Sequence, residues 1–249
     1  MIPISDANPT KRFPIVTVLL ILGNLFVFFF VQPGFGQDRE AQAYFIDHAP
    51  VPCQIQDDGC PNELIQFGAG GPVKRLPDRT FPQFLGSVLL ATFMHAGFLH
   101  IGFNMLFFWV FGNNIEDYLG RIKYLIFYLL GGFASGFAQV LTHQTGDASL
   151  VPAVGASGAI AAVMGAYIVL YPRARVNVLL IVVIFFTVVQ LSALLVLGIW
   201  FVLQFFTSEG SNVAWVAHVG GFVFGAAGIL VLGGRPQRPA PSWSPEWRY

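Results

Sequence analysis

The chain has 249 residues with 13 basic and 13 acidic side chains, so only 10% of it is charged, against about 25% in ordinary soluble domains. With a mean hydropathy of +0.66 and 26 phenylalanines, this composition excludes a soluble domain, which needs a charged coat. It also excludes nucleic-acid binding through a basic face and intrinsic disorder, which requires few apolar residues.

The charges are clustered, and they leave six windows free of Asp, Glu, Lys and Arg: Phe13–Gln37, Thr80–Ile115, Tyr124–Gly146, Ala148–Pro172, Val176–Ser208 and Gly210–Gly234. A bilayer core takes about 20 apolar residues per helix, so each window holds one crossing. The expected spans are Ile15–Val31, Phe98–Tyr118, Tyr124–Leu141, Gly155–Tyr171, Leu191–Phe206 and Ala214–Leu232. Glu116 and Asp117 fall on the last turn of the second span, at odds with lipid. The window Val176–Ser208 is too long for one helix and too short for a helical hairpin. Its β-branched first half, Val176–Val189, is expected to be an interfacial or re-entrant segment.

The first run follows Lys11-Arg12 but has no small-x-small cleavage site, so it reads as a retained helix. Six spans put both termini on one side, with nine basic and four acidic residues there (net +5) and four and nine opposite (net −5). By the positive-inside rule the termini are cytoplasmic. The expectation is an all-α, polytopic membrane protein of the cell membrane, its partner the lipid bilayer. A six-span domain covers residues 1–234 and includes a long external loop, 32–93; residues 235–249 form a cytoplasmic tail. That loop carries the two cysteines, Cys53 and Cys60, expected to pair as a disulfide in an oxidising compartment. No oligomeric state follows from the sequence.

Strongly polar groups inside spans are costly and mark function by default. His95-Ala-Gly-Phe-Leu-His100-Ile-Gly-Phe-Asn104 opens the second span, and His100 and Asn104, four apart, share a helix face. No Glu stands between two histidines as in a His-Glu-x-x-His zinc site, so no metal and no cofactor is expected. Gly155-Ala-Ser157-Gly158 opens the fourth span, its glycines leaving a serine hydroxyl unshielded at a helix start with free N–H groups. Ala217-His218-Val-Gly-Gly221-Phe-Val-Phe-Gly225 opens the sixth, with a small-xxx-small stripe permitting close helix contact. Taken singly, each has a bland alternative: interhelical hydrogen bonding, packing, or a proton path. All three motifs start on spans that run in the same direction, which puts them at one depth. There, Ser157 with His218 as base forms a nucleophile pair without a visible carboxylate. His100, Asn104 and the Ser157 N–H are available to an oxyanion.

In that order and on alternate spans, His-x-x-x-Asn, Gly-x-Ser-Gly and Ala-His-x-x-Gly-x-x-x-Gly resemble the rhomboid intramembrane serine proteases. His95, Glu116, the N-terminal Ile-Pro-Ile-x-Asp…Asn-Pro-Thr run and Tyr171-Pro-Arg-Ala-Arg175 resemble bacterial members. The resemblance implies a six-helix bundle that cleaves single-span membrane proteins near the outer face. It implies Ser157 as nucleophile, His218 as general base, and His100 and Asn104 as the oxyanion hole. His95, Gly155, Gly158 and Gly221 support them. A Trp-Arg pair found in some members is Gly86-Ser87 here. A Tyr four residues after the nucleophile in one member is Ala161, which leaves the stacking partner of His218 open. An inactive binding relative and a small transporter using the histidines are the alternatives.

Overall fold

The computed structural model describes residues 1–36, 38–55, 64–66, 73–142, 151–182, 185–206 and 214–237. Among them are eight α-helices: α1 (Ile15–Phe26), α2 (Arg39–His48), α3 (Phe81–Ala91), α4 (Phe98–Leu119), α5 (Arg121–Thr142), α6 (Ser157–Leu170), α7 (Ala193–Gln204) and α8 (Trp215–Val231). A π-helical turn, Val27–Val31, extends α1. Each of the six segments expected to span overlaps one of these helices. The helix α5 is by itself long and apolar enough to cross a membrane.

The chain is mostly helical but not all-α. Ile2–Asp6 (β1), Arg175–Val182 (β4) and Phe185–Ser192 (β5) form an antiparallel sheet in the order β1-β4-β5; Leu64–Gln66 (β2) and Val73–Arg75 (β3) pair separately. The segment expected to be interfacial or re-entrant is an antiparallel pair of strands. Its β-branched residues suit a pleated ribbon, and its alternation is visible in β4. Val176 and Val178 are fully buried. Asn177, between them, donates to the Ser5 hydroxyl (2.8 Å) and accepts from Gln190 (3.0 Å). The N-terminal strand supplies the third strand, Ile2 lying opposite Leu179.

The expected external loop holds α2 and α3. Asp38 caps α2 by accepting from the Ala41 N–H (2.8 Å), and Ala41 and Phe45 pack against Ala91 and Met94 beside the start of α4. The Arg79 guanidinium ties the segment after α2 together, donating to the Ala49 carbonyl and the Gln54 side chain (2.7 Å each). Cys53 is buried and disulfide-bonded; its expected partner, Cys60, lies outside the described residues, as does the tail from residue 238 on.

The core is built around α6, whose residues Gly158–Tyr167 are all buried. A helix apolar on every side needs neighbours on every side; α4, α5 and α8 provide them. The seam with α8 is the tightest. A Cβ on Gly221 would overlap the Gly158 carbonyl, and one on Gly225 would overlap that of Ala162. Small residues at this spacing let backbones touch.

Glu116, anomalous in the sequence, is explained here. Its carboxylate accepts from the Val16 N–H (2.9 Å), the Thr17 N–H (2.8 Å) and the Thr17 hydroxyl (2.8 Å). A buried charge thus sits on the first turn of α1, where free N–H donors and the helix dipole favour an anion. Asp117 accepts from the Lys11 N–H (3.0 Å).

Candidate active site

Ser157 is the first residue of α6 and His218 lies in the first turn of α8. The seam that brings Gly221 onto the Gly158 carbonyl also brings these side chains together: Ser157 Oγ and His218 Nε2 are 2.8 Å apart. Gly158 itself faces α5, where a Cβ would overlap the Ser135 hydroxyl.

The other face of the pocket comes from α4. The Ala96 N–H donates to His100 Nδ1 (3.2 Å). A backbone N–H can only donate, so Nδ1 is the acceptor nitrogen and neutral His100 carries its proton on Nε2. The Cε1–Nε2 edge of that ring faces Gly155. A Cβ placed on Gly155 would lie 2.9 Å from His100 Nε2 and 3.5 Å from Ser157 Oγ. Gly155 has φ +124°, a conformation side chains rarely adopt, so this point stays open. It is within reach of both nucleophile and donor, where a substrate carbonyl needs to sit.

Asn104, one turn beyond His100, is buried, and its Nδ2 finds no hydrogen-bond partner among the described residues. A buried amide donor left in this state is uncommon in folded proteins and marks a place to look for function. His95 is fully buried and meets His100 edge-on, ring centroids 5.1 Å apart. Its backbone, not its ring, is anchored: Gln32 accepts from the His95 N–H (2.9 Å) and donates to its carbonyl (2.8 Å). The structure thus brings Ser157, His218, His100 and Gly155 around one point, with Gly158 and Gly221 in the seam behind them. Cys53 belongs to the segment after α2, apart from this group. No group of three or more metal-ligating side chains occurs among the described residues.

Three residues of this region escape the sequence reading. His218 Nδ1 lies 2.8 Å from Gln204 Oε1, and the Trp200 ring lies beside the imidazole, centroids 5.9 Å apart. Both come from α7, so an aromatic neighbour is present despite Ala161. Gln139 of α5 accepts from the Ala217 N–H (3.1 Å), holding the residue before His218. The available signal was a lone amide closing an apolar, charge-free helix.

Fold and site together define a mostly helical membrane protein with a serine–imidazole pair at one end of its central helix. The Rhomboid domain matches residues 83–235, more than half of the chain, and the chain belongs to the rhomboid family. It is 33% identical over 168 residues to the presenilin-associated rhomboid-like protein A, mitochondrial, of Danio rerio, covering 65% of this chain and 39% of that protein. Rhomboid protein 1, mitochondrial, of Saccharomyces cerevisiae is 31% identical over 91 residues, 36% of this chain and 26% of its own. The rhomboid protease GlpG of Serratia proteamaculans is 32% identical over 134 residues, 53% and 43% of the two chains. The chain therefore spans less than half the length of each of these relatives.

Proposed function

We propose that this protein is an intramembrane serine endopeptidase that cleaves transmembrane segments of other membrane proteins. The observation that carries the reading is the 2.8 Å approach of Ser157 Oγ to His218 Nε2 across the α6–α8 seam. His218 Nε2 takes the hydroxyl proton as Ser157 Oγ attacks the scissile carbonyl. The oxyanion is received by His100 Nε2–H, the Asn104 amide and the Ser157 N–H, one of the free donors of the first turn of α6. His218 then passes the proton to the leaving amine, and the acyl group stays on Ser157. A water deprotonated by His218 releases it.

Six crossings by α1, α4, α5, α6, α7 and α8 make residues 1–234 one membrane domain. The +5/−5 charge split supports cytoplasmic termini, with the Ser157 end of α6 toward the opposite face, where water is at hand. The resemblance of the N-terminal run to bacterial members favours the cell membrane, although two of the relatives above are named mitochondrial. Substrates are single-span proteins with small or helix-breaking residues near the cleaved bond, because a regular helix hides its carbonyls. The test is cleavage of a panel of fluorescent transmembrane segments by the detergent-solubilised protein. Wild type is expected to cut at least one, and Ser157→Ala none. Failure of wild type on every segment that an active relative cuts would sink the reading.

A further inference from the structure

Among the described residues the pair at the Ser157 end has no carboxylate behind it, yet a histidine base needs its proton on the correct nitrogen. If Nε2 carries the proton, it faces the Ser157 hydroxyl with a donor and cannot take another. Which nitrogen is protonated is set by what the other one touches. For His218 that neighbour is Gln204 Oε1, 2.8 Å from Nδ1.

An amide has two ends, and the wrong one here would be damaging. A Gln turned the other way would present NH₂ to Nδ1 and so hold the proton on Nε2. Imposing the unproductive tautomer on a triad histidine costs about 10⁴ in kcat. The orientation is settled by the second contact: Gln204 Nε2 donates to the Trp200 carbonyl at 2.9 Å. A backbone carbonyl only accepts, so the NH₂ must face it and Oε1 must face His218. The amide is buried, so water does not compete for either end. Trp200 and Gln204 are four apart on α7 and share a face. One helix face therefore supplies the carbonyl that orients the amide, the amide oxygen that meets Nδ1, and the ring beside the imidazole.

We propose that Gln204 is the positioning residue of this site: anchored by the Trp200 carbonyl, it holds His218 in its Nδ1–H form with the Nε2 lone pair aimed at Ser157. The proposal rests on the protease reading for its catalytic consequence, but not for the tautomer itself. Two chains of single-valued hydrogen bonds run through the pocket in opposite senses. The Trp200 carbonyl makes His218 an acceptor at Nε2; the Ala96 N–H makes His100 a donor at Nε2. Base and oxyanion donor are the same side chain, told apart by one backbone group each.

The test combines a spectroscopic and a kinetic readout on the full chain in detergent micelles. In protein labelled with ¹⁵N-histidine at neutral pH, His218, assigned by the resonances lost in His218→Ala, should show a protonated Nδ1 and an unprotonated Nε2. Gln204→Met, close in shape but without an acceptor, should lower kcat by about 10- to 100-fold with KM within about twofold and lose the fixed tautomer. Gln204→Glu should restore cleavage, because a carboxylate only accepts. By favouring the imidazolium it should also move the acid limb of the pH–rate profile up by about one pH unit, which a packing role would not do. A protonated Nε2 in wild type, a Gln204→Met variant as active as wild type, or an unmoved acid limb in Gln204→Glu would each overturn the proposal. Should wild type cleave nothing, the protease reading falls and the ¹⁵N spectrum alone decides the tautomer. Should Gln204→Met fail to fold, Gln204→Glu carries the kinetic test.

Discussion

Ser157 and Tyr167, toward opposite ends of α6, are about 15 Å apart, ten residues at 1.5 Å each, and both lie among polar groups. At the Tyr167 end the groups are consumed by one another. The Tyr167 hydroxyl donates to Asp6 (2.6 Å), Asn114 donates to the same carboxylate (2.8 Å), and Asn8 donates to Asn114 (2.7 Å). The nearby Glu116 takes three donors from α1. At the Ser157 end the groups are aimed rather than consumed: a hydroxyl on a lone pair, an imidazole edge facing Gly155, and the Asn104 Nδ2 without a partner among the described residues. Closed networks fasten helices, whereas groups held in place with capacity to spare are what a reaction needs. Partnering, rather than polarity, separates the fastening from the site.

That contrast can be broken by substitutions whose effects on activity and stability should separate. The largest effect is expected of His218→Ala, which should lower cleavage by at least about 10³-fold while leaving the unfolding midpoint in detergent near that of wild type. His100→Ala should follow, with kcat reduced by about 10²–10³-fold for one lost oxyanion donor, again with little change in unfolding. If either variant instead unfolds the bundle, the Ser157 end is fastening after all. At the other end the order reverses. Glu116→Gln keeps the shape but lacks the charge for three donors. It should cost about 2 kcal/mol in a reversible unfolding titration, while the protein that remains folded keeps its kcat.

The smallest effect concerns Asp6. Burial pushes its carboxyl up from the ordinary 3.8 to about 6, partly offset by the hydrogen bonds from Tyr167 and Asn114. A folded value above the unfolded one means that the native state binds the proton more tightly between these limits. Stability from this group therefore rises as pH falls from about 6 toward 4, and is lost as pH rises through that window. Asp6→Asn should flatten this part of the stability profile and leave cleavage at neutral pH unchanged. A steeper profile in the variant would show that the cluster is fastened by the ionised carboxylate.

Much of this was legible beforehand, for physical reasons that also mark where legibility stopped. Lipid tolerates few charges, so each uncharged window falls on an apolar helix, of which α5 alone among the described residues is long and apolar enough by itself to cross a membrane. Close backbone contact requires small residues, so the Gly221 and Gly225 stripe announced the seam that delivers His218 to Ser157. What escaped depends on partners distant in sequence. Strand β1 pairs with β4 at separations of 170 residues or more, and nothing local to Val176–Val189 distinguishes that hairpin from a segment lying in the interface. Helices α2 and α3 are short, and their place was hidden inside a loop defined only by lacking a span. Glu116 read as an intruder because its donors belong to α1. Gln204 and Trp200 read as span filling, since an amide and an indole at a helix end gain meaning only beside an imidazole.

The central claim is that Ser157 is a nucleophile made reactive by His218, and its most direct test is covalent. The detergent-solubilised protein should be treated with a fluorophosphonate probe and the modified residue located by peptide mass spectrometry. A single adduct on Ser157 is expected, absent in His218→Ala although Ser157 is still present there. Labelling of His218→Ala as fast as wild type, or no adduct on Ser157 while an active relative is modified, would contradict it.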